Sequence, residues 1–237
     1  MDIKGKKAIV TGASSGLGAA ITEALIINGA TVYGIARNEA KLNEMKQQYG
    51  DAFVSVQLDI TNAENVKAWV QNTFSEKYSP DILINNAGAG IFGKIDEISP
   101  SAWTTMINTN LNGMYFLTSE VAALMKNTED SAHIINIGSI LGSTGRAESA
   151  GYCATKYGIQ GFSDALFLEL RPFNIKVTCF NPGSIATHFF ESSGISSHSN
   201  MLKPKDLAIS LVHILQTPDN MLISDITIRP LNPKSPN

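Results

Sequence analysis

Tyr152 and Lys156 are the residues in this sequence whose types and spacing could do chemistry together. Residues four apart share one face of a helix, so the ammonium group would lie beside the phenol. A phenol titrates near ~10, and a neighbouring positive charge lowers that pKa by favouring the phenolate. Such a pair suits proton transfer between an alcohol and a carbonyl. Because the spacing also arises by chance on many helices, the pair needs support from the rest of the chain.

A glycine-rich turn near the N-terminus gives the first support. Thr11–Gly18 reads Thr-Gly-Ala-Ser-Ser-Gly-Leu-Gly and stands between an apolar run and the amphipathic stretch Ala19–Asn28. Gly12, Gly16 and Gly18 would let the backbone turn tightly and approach a pyrophosphate at the start of the helix. The spacing Gly-x3-Gly-x-Gly differs from the common Gly-x-Gly-x2-Gly, and a purely structural turn is the alternative. Its place between strand and helix favours dinucleotide binding.

The elements that must position these residues follow from hydrophobic patterning. Seven apolar runs have the length of buried strands: Lys7–Val10, Thr31–Ala36, Phe53–Leu58, Asp81–Asn85, His133–Ile137, Lys176–Phe180 and Asp225–Arg229. Six helical patterns alternate with them: Gly16–Asn28, Glu39–Tyr49, Ala63–Lys77, Pro100–Lys126, Gly151–Arg171 and Pro204–Gln216. This alternation predicts an α/β fold, a doubly wound parallel sheet of about seven strands with helices on both faces, in three layers. No linker or repeat divides residues 1–237, so we expect a single domain.

Composition excludes several classes of protein. A net charge of -3 without a Lys/Arg cluster indicates neither a nucleic-acid partner nor an anionic membrane surface. No apolar run reaches the ~18 residues of a membrane span, and Met1–Lys4 does not begin a signal peptide, so we expect a cytoplasmic protein. Two cysteines, Cys153 and Cys179, do not make a disulfide framework, and we interpret both as reduced and structural.

Turn-forming and polar residues follow three of the predicted strands: Asn85–Gly88, Gly138–Ser139 and Asn181–Gly183. Each segment alone could be ordinary loop chemistry. In a parallel sheet, however, these strand ends meet at one edge, which is where such folds bind ligands.

Taken together, the motifs resemble those of the short-chain dehydrogenase/reductase family. They are Thr-Gly-x3-Gly-x-Gly, Asn-Asn-Ala-Gly, a Ser 13 positions before the Tyr, Tyr-x3-Lys and Pro-Gly, in order from Lys6 to about Thr187. The resemblance implies a Rossmann-type fold, a nicotinamide cofactor, and hydride transfer to a carbonyl or from an alcohol.

The resemblance also implies roles for four catalytic residues. Tyr152 would be the general acid in reduction and the base in oxidation, and Lys156 would lower its pKa and hold the nicotinamide ribose. Ser139 would donate a hydrogen bond to the substrate oxygen. Asn110 would order a water molecule that links Lys156 to solvent. Its register among Asn108, Asn110 and Asn112 rests on the family pattern.

The implied cofactor contacts run along the whole predicted strand edge. Besides Tyr152 and Lys156 they are Gly12, Ser14, Ser15, Gly16, Leu17, Gly18, Arg37, Asp59, Asn86, Ala87, Gly88, Pro182, Gly183, Ile185 and Thr187. Asp59 would bind the adenine amino group, and the segment after the sixth strand would cover the nicotinamide.

Arg37 decides which nicotinamide cofactor we expect. The end of the second predicted strand carries no carboxylate to bind a ribose 2′-hydroxyl, whereas the Arg37 guanidinium suits a 2′-phosphate. A solvated arginine at a helix start is the alternative reading, and Ser15 supplies no second charge. We expect NADP(H) rather than NAD(H).

The substrate pocket is less defined by the sequence. Candidate walls are Ile91, Phe92, Ile140, Arg146 and Phe189, and residues 184–200 have the composition of a short lid. The apolar side chains favour a small carbonyl compound, whereas Arg146, Glu148 and His188 could recognise a polar group. No second ligand lies at metal spacing from His188, so we expect no metal.

Three alternatives remain open at this point. One is a reductase of 3-oxoacyl thioesters, although the ending Ile226–Pro230 lacks the glycine pair of that branch and looks more like the small carbonyl reductases. Another is a non-catalytic NADP(H)-binding sensor or scaffold, and a third is an isomerase of the extended relatives. The resemblance further implies a homodimer or homotetramer built through Pro100–Lys126 and Gly151–Arg171.

Overall fold

The computed structural model describes residues 1–128, 130–187, 189 and 197–234. Seven strands form one sheet: β1 Lys7–Thr11, β2 Thr31–Ala36, β3 Phe53–Gln57, β4 Ile82–Asn85, β5 Ala132–Ile137, β6 Ile175–Pro182 and β7 Asp225–Ile228. Every neighbouring pair is parallel, and the order is β3-β2-β1-β4-β5-β6-β7. The strand order reverses between β1 and β4. The predicted doubly wound parallel sheet is confirmed.

Within the part of the chain that the structure describes, seven α-helices accompany these strands: α1 Gly16–Ile27, α2 Glu39–Tyr49, α3 Ala63–Thr73, α4 Pro100–Ile107, α5 Gly113–Met125, α6 Ala150–Leu170 and α7 Pro204–Leu215. One hydrophobic cluster joins α1, α2 and α7 to one face of the sheet, and a second joins α3, α5 and α6 to the other. Ala8 and Val10 belong to the first cluster and Ile9 to the second, because successive side chains of a strand point to opposite faces. The sheet is therefore the middle of three layers.

Two predicted helices differ from the structure. The single helix expected over Pro100–Lys126 is interrupted by a π-helical segment, Asn108–Asn112, between α4 and α5. The third helix ends at Thr73 instead of Lys77. Phe74 leaves it in extended conformation and packs on Tyr33, with ring centroids 4.9 Å apart. In both places tertiary contacts override a local helical pattern.

The carboxyl ends of β1, β4, β5 and β6 lie side by side at one edge of the sheet. The glycine-rich turn leads from β1 into α1 at this edge, and Ser139 stands two residues after the end of β5. No helix among the described residues is long and apolar enough to cross a membrane.

Candidate active site

A cavity of about 430 Å³ opens at the carboxyl edge of the sheet. Its walls come from the turn after β1, from the segments after β4, β5 and β6, and from α6. Most of the predicted site residues line it: Gly12, Ser15, Gly16, Leu17, Asn86, Ala87, Gly88, Ser139, Ile140, Arg146, Tyr152, Lys156, Pro182, Gly183, Ile185, Thr187 and Phe189. The structure thus brings together residues that the sequence scatters over nearly the whole chain.

The glycine-rich turn is packed too tightly for side chains. Gly12 has a φ of +65°, which residues with a Cβ rarely adopt. A Cβ at Gly18 would overlap the Gly12 carbonyl oxygen and lie 2.5 Å from Asn86 Nδ2. The turn therefore presents bare backbone to the cavity where α1 begins. This is the arrangement that accommodates a phosphate group.

Thr11 fastens the segment after β4 to this turn. Its hydroxyl oxygen accepts hydrogen bonds from the backbone N–H groups of Asn86 and Ala87, each at 2.9 Å. In return, Asn86 Nδ2 donates to the Thr11 carbonyl oxygen at 2.9 Å. These bonds continue the β1–β4 pairing beyond the last ladder residues and hold two walls of the cavity at a fixed distance.

Ser139 is held at both its backbone and its side chain. Its N–H donates to Asn181 Oδ1 at 2.9 Å, and its hydroxyl oxygen accepts from the Leu141 N–H at 3.1 Å. The Tyr152 phenol lies close enough to this hydroxyl for Ser139 to lower the pKa of the phenol. The side chain is therefore oriented towards Tyr152 inside the cavity.

The environment of Tyr152 corrects one prediction. Burial raises the pKa of the phenol above its ordinary value, and the interaction with Ser139 opposes this only in part. The Lys156 ammonium lies 5.5 Å from the centre of the Tyr152 ring and is not among the causes of this shift, so the expected lowering of the Tyr152 pKa by Lys156 is not found. In the protein itself the phenol stays protonated at neutral pH.

Lys156 is almost fully buried beside Tyr152 on α6. Its Nζ donates a hydrogen bond of 2.8 Å to the Ile137 carbonyl oxygen at the end of β5. Burial lowers the pKa of the amine to about 8, because desolvation disfavours the charged form. An amine with this pKa holds and releases a proton near neutral pH.

Asn110 lies in the π-helical segment and does not line the cavity. Its Oδ1 accepts from the Ala89 N–H at 2.7 Å, and its Nδ2 donates to the Ala89 carbonyl oxygen and to Thr155 Oγ1, both at 2.9 Å. The side chain therefore ties the segment after β4 to α6 at the residue before Lys156. A π-helical turn inserted in a helix is frequent at functional sites.

Arg37 and Asp59 lie beyond the cavity lining, at the ends of β2 and β3. Arg37 is exposed. Hydrogen bonds from the backbone and hydroxyl of Thr61 hold the pKa of the Asp59 carboxyl below its usual range, and the Arg37 charge adds to this. The guanidinium and the carboxylate are thus close enough to interact.

The predicted substrate residues divide into two groups. Ile140, Arg146 and Phe189 line the cavity, whereas Ile91 and Phe92 do not. The Phe92 ring centre is 5.2 Å, and the Phe189 ring centre 6.0 Å, from that of Tyr152, so both rings flank the phenol. Ser14 and Gly18, the remaining predicted cofactor residues, lie in the glycine-rich turn outside the lining.

Within the predicted lid, residues 184–200, the structure describes 184–187, 189 and 197–200. The Ile185 segment pairs with Leu202 in a parallel bridge, and the Ala186 N–H donates to the Leu202 carbonyl oxygen at 2.9 Å. This pairing joins the cavity wall to the start of α7. His188 lies outside the described residues. Within those residues, no cluster of three acidic, histidine or cysteine side chains could hold a metal ion.

Residues 6–196 match the family model described as short chain dehydrogenase. The chain belongs to the short-chain dehydrogenase family. An uncharacterized oxidoreductase of Staphylococcus epidermidis is 33% identical over 230 residues, which cover 97% of this chain and 99% of that protein. Dehydrogenase/reductase SDR family member 11 of Bos taurus is 33% identical over 242 residues, covering 94% of this chain and 95% of that protein.

Two solved structures superpose closely on the chain. A closed form of serine dehydrogenase complexed with NADP+ has a TM-score of 0.86 and 29% identity, covering 94% of both chains. A 3-ketoacyl-(acyl-carrier-protein) reductase from Brucella melitensis complexed with NADH has a TM-score of 0.87 and 27% identity, covering 97% of this chain and 98% of that one.

For this short-chain dehydrogenase, sequence reasoning assigned no role to three residues that shape the cavity: Thr11, Thr155 and Asn181. Each is a buried polar residue with hydrogen bonds to backbone or side chains that line the cavity or lie beside it. A signal was present, because Thr11 and Asn181 stand at the ends of otherwise apolar strands, where a buried polar side chain must find a partner.

Proposed function

We propose that this protein is an NADP(H)-dependent oxidoreductase that reduces a small carbonyl compound, or oxidises the corresponding alcohol. The observation that carries the proposal is the grouping of Ser139, Tyr152 and Lys156 in one cavity whose other end is a glycine-rich turn. Each member of the group has a feature that suits the chemistry: a fixed hydroxyl, a protonated phenol, and an amine with a pKa of about 8.

The cavity fits a dinucleotide. A Cβ at Gly18 would overlap the backbone of the turn, and a Cβ at Gly16 would lie 3.3 Å from Thr187 Cγ2. The absence of both side chains leaves space for a phosphate group at the start of α1. When bound, a nicotinamide cofactor supplies or accepts the hydride. In this proposal Gly12, Ser14, Ser15, Gly16, Leu17 and Gly18 hold the phosphates. Asn86, Ala87, Gly88 and Asp59 contact the adenosine, and Pro182, Gly183, Ile185 and Thr187 cover the nicotinamide.

Ser139 and Tyr152 act on the substrate oxygen in this proposal. The Leu141 N–H occupies one lone pair of the Ser139 hydroxyl, which directs the hydroxyl proton away from the turn and towards the cavity. Both hydroxyl groups then stabilise the charge that develops on a carbonyl oxygen during reduction. Tyr152 transfers its phenolic proton to that oxygen, and its raised pKa keeps the proton in place until then.

Lys156 replaces the proton that Tyr152 gives up. Its amine is protonated in a large share of molecules at neutral pH, since its pKa is about 8. Asn110 supports this step by holding the segment after β4 against α6, next to Lys156. Both N–H groups of its side chain are used by Ala89 and Thr155. The water molecule expected between Lys156 and solvent would therefore bind another atom of Asn108–Asn112.

The preference for NADP(H) rests on Arg37. It is exposed at the end of β2, where a ribose 2′-phosphate would lie. The contact is charge-assisted, so it is worth about 1.5–3 kcal/mol, which corresponds to roughly ten- to a hundredfold preference over NAD(H). The related serine dehydrogenase structure contains NADP+, which supports the proposal, whereas the related 3-ketoacyl reductase contains NADH.

In this proposal the substrate is a compact carbonyl compound that lies between the rings of Phe92 and Phe189 and the guanidinium of Arg146. Phe92 and Phe189 flank Tyr152, and Ile140 adds an apolar wall; Ile91, which does not line the cavity, is the remaining substrate candidate. Arg146 lines the same cavity and makes no ion pair within the described residues. A carboxylate on the substrate would therefore be favoured. A 3-oxoacyl thioester is the second candidate, because of the similarity to the Brucella reductase.

The test is oxidation of NADPH with a panel of diketones, aldehydes, 3-oxo acids and 3-oxoacyl thioesters, with NADH in parallel. Turnover should fall at least a hundredfold in Tyr152→Phe, because the phenolic proton is lost. Tyr157→Phe is the matched control, since Tyr157 is on the same helix but 48% exposed. Tight NADPH binding with unchanged turnover in Tyr152→Phe would refute the proton transfer assigned to Tyr152. Binding without any turnover would favour a sensor.

We also propose that the protein is a cytoplasmic homodimer or homotetramer. A groove of about 300 Å³ between α5 and α6 is lined by Tyr115, Phe162 and Leu166, and Tyr115 is 54% exposed. A second copy would cover this apolar surface. Light scattering at micromolar concentration tests the assembly, and a monomeric mass would contradict it. Imaging of a tagged chain tests the location.

A further inference from the structure

Asn181, at the end of β6, joins four parts of the molecule through one buried amide. Its Oδ1 accepts from the Ser139 N–H at 2.9 Å and from Cys179 Sγ at 3.5 Å. Its Nδ2 donates to Gln160 Oε1 on α6 at 2.9 Å and to Asp225 Oδ2 on β7 at 2.7 Å. Both N–H donors and both lone pairs of the amide are therefore used.

The direction of this amide is fixed by two carboxylates. Asp225 only accepts hydrogen bonds when ionised, so Asn181 must turn its Nδ2 towards β7. Gln160 donates through Nε2 to Asp164 Oδ1 at 3.1 Å, which leaves its Oε1 facing Asn181. The one remaining arrangement places Asn181 Oδ1 against the Ser139 N–H.

The backbone at the end of β5 is shaped around the same amide. A Cβ at Gly138 would overlap Asn181 Oδ1, and it would lie 3.1 Å from Cys179 Sγ. Gly138 immediately precedes Ser139. The absence of a side chain there lets the amide reach the Ser139 N–H, so the contact is built into the strand and is not an incidental approach.

We propose that Asn181 is a positioning residue for the reduction: held by Gln160 and Asp225, it fixes the backbone of Ser139 so that the hydroxyl faces Tyr152. The inference rests on the proposed function. Asn181 does not line the cavity. In this proposal its effect on turnover passes through Ser139, and a double-mutant cycle separates that effect from a contribution to the fold alone.

A double-mutant cycle with Ser139→Ala tests the proposal. Asn181→Ala should lower kcat by about ten- to a hundredfold, because a small displacement of a reacting group is costly. The Kd for NADPH, measured by fluorescence, should change less than about twofold. In the Ser139→Ala background the same substitution should change kcat by a factor near one, since the hydroxyl that it positions is gone.

Asn136→Ala is the matched control. Asn136 is a fully buried asparagine on β5 that donates to Ser163 and accepts from Asn85, and it does not touch Ser139. Asn136→Ala should change kcat by the same factor in the unmodified protein and in the Ser139→Ala variant. Thermal unfolding of both variants measures the purely structural part of each change.

A rescue variant covers the case in which Asn181→Ala does not fold. Asn181→Asp keeps an acceptor for the Ser139 N–H and, besides facing Gln160 Oε1, turns a second carboxylate oxygen towards Asp225, which repels it. Adding Asp225→Asn replaces this repulsion with a hydrogen bond, so the double variant should recover at least part of the kcat lost in Asn181→Asp.

Two results would overturn the proposal. One is a loss of kcat in Asn181→Ala that is equally large in the Ser139→Ala background, and the other is an Asn181→Asp defect that Asp225→Asn does not relieve. If instead the unmodified protein turns over no carbonyl compound, or if Tyr152→Phe keeps full turnover, it is the proposed function that fails.

Discussion

His133 carries the prediction with the most direct physical basis. It lies on β5 with no exposed surface, and its Nε2 is 2.8 Å from Thr178 Oγ1. The Thr178 hydroxyl donates to the Ile223 carbonyl oxygen, so it accepts from the His133 Nε2–H. Nδ1 then has no partner among the described residues. A proton on Nδ1 would be a buried charge without an acceptor.

Burial therefore lowers the pKa of His133 to about 3 from an ordinary value of 6.5, and the nearby Lys176 and N-terminal ammonium groups add to the effect. Because the folded pKa is below the unfolded one, the unfolded chain takes up a proton first as the pH falls. The free energy of unfolding falls between pH 6.5 and about 3 by up to about 1.4 kcal/mol per pH unit, or roughly 3 kcal/mol by pH 4. The total free energy of unfolding of a protein domain is about 5–15 kcal/mol, so this loss is a large part of it.

The assay is urea unfolding at pH 7, 6, 5 and 4, followed by tryptophan fluorescence. Glutamine does not titrate, so in His133→Gln the free energy of unfolding should fall less steeply with falling pH, by the amount due to one proton. This difference in slope is expected whatever the stability of the variant at pH 7. His213→Gln, which changes an exposed histidine on α7, should leave the slope unaltered. Parallel curves for the unmodified protein and His133→Gln would refute the reasoning.

Three further substitutions test the site. Arg37→Asp should shift the kcat/KM ratio from NADPH towards NADH by about ten- to a hundredfold, whereas Arg171→Asp, an exposed arginine after α6, should not. Gly18→Ala should abolish tight NADPH binding, because the added Cβ would overlap the turn. Gly161→Ala is its control: a Cβ at Gly161 has no other atom within 4 Å, so this variant should bind NADPH normally and be more stable by about 0.5–1 kcal/mol. Arg146→Met should raise KM at least tenfold for a 3-oxo acid but not for a neutral ketone of the same size; equal changes would exclude carboxylate recognition.

The sequence predicted the sheet well because its strands are buried on both faces. Continuous apolar runs such as Thr31–Ala36 need no alternation to be recognised, and that strand has the predicted bounds. It also predicted that Ser139, Tyr152 and Lys156 would share one site, since parallel strands end at one edge.

The properties that escaped prediction depend on neighbours distant in the chain. Nothing local marks the π-helical Asn108–Asn112, where Gly113 packs against Ile60, with an added Cβ 2.8 Å from Ile60 Cγ1. The raised pKa of Tyr152 comes from burial, which the sequence motif does not contain. The partner of Ser139 is 42 residues away on another strand.

Neutral amides hold this site together, and their neutrality has a consequence for its chemistry. Asn86, Asn110 and Asn181 each bond backbone groups where regular pairing ends, and none adds a charge. No carboxylate lines the described cavity, so burial dominates the Lys156 amine and its pKa is near 8. A carboxylate in any of these places would favour the ammonium and raise that pKa. Amides therefore position the groups of this site without disturbing the proton affinity on which the proposed transfer depends.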